Sequence, residues 1–559
     1  MKLRIGKSDI IISLVAAFLL IAGIVTWSTF STIYNSQFKK NLMFKQKSDR
    51  SLGYSAYMMS HPQSRNLMRF YFFNISNPDE IQYEGKAPQI VETGAFAVLE
   101  SEQKKYMKWN DRKTEMFYEN YKSYLISPED SCDDCDWEQN LVFPNPTSLG
   151  ATTSMLDPKY KITKTGKILI SLGLLLLGEY PFVSHKVREV MFDGYEDALL
   201  SAAHSDLIYT ISGILKGNES IIPIPIPAMP RFGYFQGYNN SKDESYWIKT
   251  GTDDINRLGE VQTWAGLREL PAEWWSTPFS RSIRGSDSGS FSQMRLKEDS
   301  TIDFFMSFMC RSFTKKYLGS TSVDSIPALS FSVPYEDYDT TSDLNRGFRY
   351  ENIEKRNYFP DWPNCPPKGD CHQSSSINCT LPEYFCHACC NGSLVDGTYL
   401  LPPGMFPLVC YPGRLQPTPF AVLYSPPHYL YSPPEVFKTV VGLHPDPSKH
   451  LPMIYNHEPY SGSVLEVFNR LQVNMPVLKS DEVEMSMNMP DVVIPLFWQD
   501  THTRLDDFLY NTVWTGVVLV PKLVTTLQFV AIGLGLLMIL GLGFFRLRKW
   551  RATARPLQS

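Results

Sequence analysis

The sequence predicts an α+β protein whose β-rich body is held between two membrane-crossing helices, and three observations carry that reading. Uncharged apolar runs lie near both ends, alternating and β-branched runs dominate between them, and every cysteine falls in that middle part.

No charged residue occurs from Ile10 to Trp27 or from Leu523 to Phe545. At a rise of 1.5 Å per residue, runs of about 18 to 23 apolar residues match a hydrocarbon core of roughly 30 Å. Residues 10–30 and 522–545 are therefore read as spanning helices. Lys2, Arg4 and Lys7 precede the first, and Arg546, Arg548, Lys549, Arg551 and Arg555 follow the second. The positive-inside rule then puts the tails, 1–9 and 546–559, in the cytosol and residues 31–521 outside it. The first run is longer than a signal peptide's apolar stretch, and Thr26-Trp-Ser-Thr-Phe30 lacks the small-residue pattern of a cleavage site, so it reads as an anchor.

The whole chain carries −5, residues 1–9 carry +2 and residues 546–559 carry +5. The segment between is left at about −12, which disfavours nucleic acid as a partner. All ten cysteines, Cys132, Cys135, Cys310, Cys365, Cys371, Cys379, Cys386, Cys389, Cys390 and Cys410, lie in it. An even count outside the cytosol argues for disulfides. Five glycosylation sequons, Asn74, Asn218, Asn239, Asn378 and Asn391, fall on the same side. The stretch from Cys371-His372 to Cys389-Cys390 has cysteines and histidines at spacings that suit zinc, but its two sequons favour an exposed disulfide-knotted loop. Cys132-Asp-Asp-Cys135 has the spacing of a redox pair, yet flanking aspartates disfavour a thiolate, so a structural pair or separate bridges is preferred. No metal or other cofactor is implied.

Within the body, Gln89–Leu99, Leu329–Pro334, Phe420–Tyr424, Leu465–Val477 and Asp491–Trp498 read as strands separated by Gly, Pro and Asn turns, hence an antiparallel sheet or barrel. Helical patches are expected at Ile168–Gly178, too short to cross a bilayer, at Lys186–Tyr195 and at Phe304–Lys316, grouped on one side or end. Catalytic templates come up empty. His457-Glu458 is followed by Pro459, there is no phosphate-binding glycine loop, and Gly285-Ser-Asp287-Ser-Gly289 puts aspartate where a serine nucleophile belongs. His428, between Pro427 and Tyr429, reads as a packed loop histidine rather than a base. A binding protein is favoured over an enzyme.

Taken together, the landmarks resemble the class B scavenger receptor family, over nearly the whole chain. Tyr71-Phe-Phe-Asn-Ile-Ser-Asn77-Pro78, Glu92-Thr-Gly94-Ala-Phe96, Lys249-Thr-Gly251, Trp264, Ile283-Arg-Gly285-Ser-Asp287, Phe304-Phe305 and Cys310-Arg-Ser312 follow the family's order. Pro427-His-Tyr-Leu430, Gly442-Leu443, Glu458-Pro459, Gly462 and Arg470-Leu-Gln-Val-Asn474 complete it. The resemblance implies a β-barrel-like antiparallel core, an apical helical bundle and an apolar tunnel leading toward the bilayer. It places the apex near Lys159–Phe182, where Lys159, Lys161, Lys164 and Lys167, followed by Lys186 and Arg188, are candidates for a basic patch that captures anionic ligands. The apolar helix Ile168–Leu177 is expected either to be buried in that bundle or to be an exposed cap that meets ligand, and burial is preferred. It pairs Cys310 with Cys410 and leaves the remaining cysteines unassigned. Ser280 stands where many members carry a cysteine, and Cys132 and Cys135 have no obvious counterpart.

The function so implied is a glycosylated cell-surface receptor that binds and takes up fatty acids, sterols, phospholipids or lipoprotein particles, with homo-oligomers allowed. The C-terminal tail lacks an acidic dileucine signal, which favours the plasma membrane over the lysosomal or endosomal membrane. Recognition of protein partners or of dying cells in engulfment or lysosomal trafficking is the nearest alternative. A two-pass ligand-gated channel is more distant, because the second span offers few polar residues to line a pore.

Overall fold

The computed structural model describes residues 6–48, 51–62, 64–156, 162–203, 231–340, 342–348, 404–432 and 434–554. The chain divides into two compact units, Met1–Ala56 with Asp506–Ser559, and Tyr57–Leu505.

In the first unit, helix α1 spans Lys7–Leu42, and a continuous helical stretch covers Asp507–Arg551. Both are long and apolar enough to cross a membrane, and both run well past the expected spans of 10–30 and 522–545. Beyond Trp27 the segment from Ser28 to Leu42 contains no proline or glycine to stop the helix, and Lys39 and Lys40 in the last turn suit its negative dipole end. The two helices meet at small residues. A Cβ on Gly23 would lie 2.6 Å from Ile532 Cγ1, and one on Gly535 2.7 Å from Leu20 Cγ. Such close backbone approach is how helices associate in lipid, where no hydrophobic force drives them together. Near the other end of the pair, the Tyr34 hydroxyl donates to Gly516 O at 2.7 Å.

The second unit is built on a 14-stranded sheet. Across it run, in order, Ser286–Asp287, Thr301–Met306, Arg311–Val323, Ile326–Ser332, Ile454–His457, Val464–Val477, Val492–Leu505, Ser64–Ile75, Ile90–Trp109, Glu115–Ile126, Ser241–Lys249 and Val261–Trp264, with Phe406–Cys410 and Pro417–Ser425 branching from Val464–Val477. The first pair is parallel and the remaining pairings are antiparallel. The two edges meet. Glu260 bridges Ser286, and Val261 N–H donates to Gly285 O at 2.8 Å, so the sheet nearly closes into a barrel. Gly285 has φ of +74°, and a Cβ there would collide with the Asp303 carbonyl, so only glycine fits the join. The α+β, barrel-like expectation agrees with this architecture.

The core follows from strand alternation. Phe70, Phe72, Phe96, Phe143 and Phe497 are buried together, with Phe72 5.4 Å from Phe96, 5.8 Å from Phe143 and 5.7 Å from Phe497 between ring centroids. A second interior region is charged. Lys104 Nζ lies 3.0 Å from Glu102, Lys122 Nζ 3.4 Å from Glu100 and 3.9 Å from Asp243, and the Tyr118 hydroxyl donates to Asp287 at 2.9 Å. Burial alone would raise the Glu102 carboxyl, but Lys104 and Lys122 overcome it and hold the group down to about 2. Burial prevails at Asp243, which is pushed up to about 7 despite Lys122.

One expected element is overturned. Phe304–Lys316 is not helical: Thr301–Met306 and Arg311–Val323 form an antiparallel hairpin, with Met306 opposite Arg311, around the short turn Ser307–Met309. Cys310 at the turn's end takes φ of +55°, a left-handed conformation that a right-handed helix does not admit. Cys310 is bonded to Cys410, both fully buried, with 6.2 Å between their Cα atoms.

Removing that bond by Cys310→Ser with Cys410→Ser opens a loop closed across a sequence separation of 100, and is expected to cost roughly 2–5 kcal/mol, read as a lower unfolding midpoint of the full-length protein in detergent. Asp243 generates a pH prediction. Its folded pKa is above the unfolded 3.8, so the folded body holds this proton more tightly, and its contribution to stability is lost as pH rises from 3.8 to about 7. Asp243→Asn should therefore flatten the fall in thermal midpoint between about pH 5 and about pH 7.5, and an unchanged slope would show that Asp243 is not the group titrating.

Candidate functional site

Against the body lies a layer of helices: α2 (Pro146–Leu156), α3 (Lys164–Leu177) and the short α4 (Ala198–Ala203). In α2, ten of the eleven residues are buried, and two of its three threonines return their hydroxyls to the helix's own carbonyls, Thr152 to Ser148 and Thr153 to Leu149. This lets a polar helix sit in the interior without orphaned donors. Helix α3 is capped at both ends. Thr163 Oγ1 accepts from Gly166 N–H at 3.1 Å, and Gly178, at φ of +70°, closes the other end by donating back to Leu174 and Leu175.

The buried side of α3 is narrow. Ser171 and Leu174 face inward, Ser171 Oγ accepting from Glu484 N–H at 2.9 Å and Leu174 packing with Met155 and Val483. Ile168, Leu169, Leu172, Leu175, Leu176 and Leu177 are exposed, Leu169 at 63% and Leu176 at 88%. The expectation of a helix buried in its bundle is thus overturned: their spacing places most of these side chains on an outward face. Exposed apolar side chains grouped on one helix make that helix a candidate interaction surface.

What holds such a helix in place is a polar clamp at its C-terminal end. Glu179 and Asp197 are both buried. Glu179 accepts from Asn145 Nδ2 and from Leu199 N–H, each at 3.0 Å, and Asp197 accepts from Leu200 N–H at 2.8 Å. Thr147 Oγ1 bonds Asp197 at 2.5 Å, and Ser148 Oγ donates to Glu179 O at 2.8 Å. Burial, then the charge of Asp197, raises the Glu179 carboxyl above its ordinary range. The sequence hides this pair, because the two carboxylates are separated by a strand and a turn. Their one legible signal is the Asn-Pro-Thr that opens α2.

The candidate basic residues differ in their surroundings. Lys164 is exposed in the first turn of α3 and Lys167 is half-buried one turn later. Lys159 and Lys161 lie outside the described residues. Lys186 pairs with Glu138 at 2.9 Å, and Arg188 with Asp193 at 2.8 Å and Glu138 at 3.6 Å, so acids beside them match both charges.

The other singled-out residues fall as follows. Cys132 and Cys135 are bonded to each other. Cys365, Cys371, Cys379, Cys386, Cys389 and Cys390, with Asn218, Asn378 and Asn391, lie outside the described residues. Ser280 is buried and hydrogen-bonds Thr277 at 2.8 Å. Asn74 Oδ1 accepts from Val142 N–H, and Asn239 Oδ1 from Tyr124 N–H. His428 is buried with both ring nitrogens engaged, Nδ1 accepting from His444 N–H at 3.0 Å and Nε2 lying 2.6 Å from Glu92. Its ring stacks on His450 at 4.2 Å, and burial, then the His428 charge, pushes His450 down to about 4.

Comparison with known proteins places this arrangement. The sequence profile of the CD36 family matches residues 14–546. An uncharacterised protein of Caenorhabditis elegans is 44% identical over 544 residues, 97% of this chain and 98% of the relative. Scavenger receptor class B member 1 of Rattus norvegicus is 26% identical over 479 residues, 86% of this chain and 78% of that protein. Lysosome membrane protein 2 of Mus musculus is 24% identical over 472 residues, 84% and 80% of the two chains. With the profile spanning both apolar helices and the barrel-like body between them, the chain belongs to the CD36 family, as a two-pass membrane receptor of the scavenger type.

Proposed function

We propose that this receptor captures lipids or lipid-bearing particles on the outward apolar face of α3 and delivers lipid to its own membrane through the body. The supporting observation is the row of exposed leucines on a helix that is capped at both ends and clamped from beneath. A rigid greasy face gains about 1.5–3 kcal/mol for each leucine it fully buries in a lipid surface, without first having to order itself. Lys164, exposed at the start of the same helix, adds attraction for anionic headgroups. Fatty acids, sterols, phospholipids and lipoprotein particles all present the apolar surface this face would cover. Passage through a tunnel rests on the family resemblance. So does the absence of bond chemistry, since transfer down a chemical-potential gradient needs none. The positive-inside rule supports two cytosolic tails.

Leu169→Gln, Leu172→Gln and Leu176→Gln together test the capture face. Being exposed, they are expected to shift stability by no more than about 0.5 kcal/mol each. Binding of the full-length protein to phospholipid vesicles or lipoprotein should fall by at least about tenfold, since only 1.4 kcal/mol is needed for that factor. Unchanged binding with normal surface expression would remove the proposal. Lys164→Glu with Lys167→Glu should weaken binding to anionic vesicles while sparing neutral ones, with the difference shrinking as salt is raised. Transfer of a fluorescent fatty acid into proteoliposomes then separates delivery from capture.

A further inference from the structure

Away from α3, the end of strand Glu115–Ile126, the disulfide loop after Cys132, the wide turn Glu189–Asp193 and the turn preceding Ser241–Lys249 border a partly open cavity of about 540 Å³. Four aromatic rings line it in mutual contact. Tyr124 lies 5.4 Å from Phe235 and 6.1 Å from Phe192 between centroids, Phe192 5.5 Å from Phe235, and Trp137 6.0 Å from Phe192. The Arg188–Asp193 ion pair belongs to the same lining, and so does Asn239.

Asn239 opens the sequon Asn239-Asn240-Ser241 and is exposed. Its carboxamide is oriented: Oδ1 accepts from the backbone N–H of Tyr124 at 2.9 Å, and the Tyr124 ring is part of the cavity wall. The carboxamide is thereby held beside the cavity. We propose that Asn239 carries an N-linked glycan whose first sugars occupy this cavity. Aromatic faces suit the C–H faces of a pyranose ring, and the guanidinium and carboxylate of Arg188 and Asp193 supply donors and acceptors for its hydroxyl and acetamido groups. The volume falls within the roughly 300–1,000 Å³ of small-ligand sites. In the modification, Asn239 Nδ2 bonds to C1 of a sugar donated by a polyprenyl-diphosphate-linked oligosaccharide. The C1–O bond to the diphosphate breaks, the polyprenyl diphosphate leaves, and the amide proton passes to a base of the transferase. The inference requires the body to lie outside the cytosol, as the Proposed function does. Its consequence is that the chain's own glycan pins the Cys132–Cys135 loop and the Glu189–Asp193 turn to the barrel.

The test uses full-length protein purified from a eukaryotic cell, with occupancy at each sequon read by peptide mass. Release by a peptide N-glycosidase, which leaves aspartate at the freed position, is then timed on native and on denatured protein. The expected result is an occupied Asn239 released at least tenfold more slowly from native protein than from denatured protein. Leu125→Ala and Arg188→Ala, both at exposed rim positions, should bring the native rate toward the denatured one. An unmodified Asn239 beside modified sequons overturns the proposal. So does native release at the denatured rate, or slow release that neither substitution changes. Absence of sugar at every sequon overturns the extracytosolic topology along with it.

Discussion

The twelve-strand run of the sheet has two edges, each a row of backbone donors and acceptors that must find partners, and the join between Val261 and Gly285 is where this protein brings them together. That single meeting constrains much else. It requires glycine at 285, because the backbone of Thr301–Met306 passes too close for a side chain. It encloses an interior in which one region is aromatic and another is a network of lysines and carboxylates. An open sheet would leave those charges in water. Closing it forces each to find an opposite charge or hold its proton, which is why Glu102 and Asp243 are driven in opposite directions.

The helical layer depends on the same enclosure at one remove. Helix α3 contributes little of its own surface to the core, so apolar burial alone would not hold it. Its attachment is polar: two buried carboxylates receive backbone N–H groups from the start of α4 and side-chain donors from the start of α2. Buried charges so fully hydrogen-bonded specify one arrangement, whereas a purely greasy contact would allow the helix to turn its leucines inward. A polar anchor beneath and an apolar face above are thus complementary, and the proposed capture of lipid draws on both.

Much of the fold was legible. The strands expected at Gln89–Leu99, Leu329–Pro334, Phe420–Tyr424, Leu465–Val477 and Asp491–Trp498 each coincide with an observed strand, because alternation and β-branching report directly on a half-buried sheet. Phe304–Lys316 misled for a physical reason. Its apolar residues recur closely enough to mimic a helix, and nothing local announces the left-handed Cys310 that folds it into a hairpin. The candidate site was less legible still. Lys164 and Lys167 are neighbours on one helix, which spacing along the chain reports, whereas the pairing of Lys186 and Arg188 with Glu138 depends on how distant segments fold together.

By itself the sequence determined the membrane-crossing apolar ends, the acidic, cysteine-bearing body, the β-rich class and the order of landmarks that marks the family, since each depends on composition or on spacing along a few residues. Tertiary structure alone decided which way α3 faces, that Glu179 meets Asp197, that the sheet's edges join, and that Asn239 borders an aromatic cavity. Those outcomes come from contacts between segments tens to hundreds of residues apart. No local pattern encodes them, because the energies that settle them exist only when the distant partners are already in place.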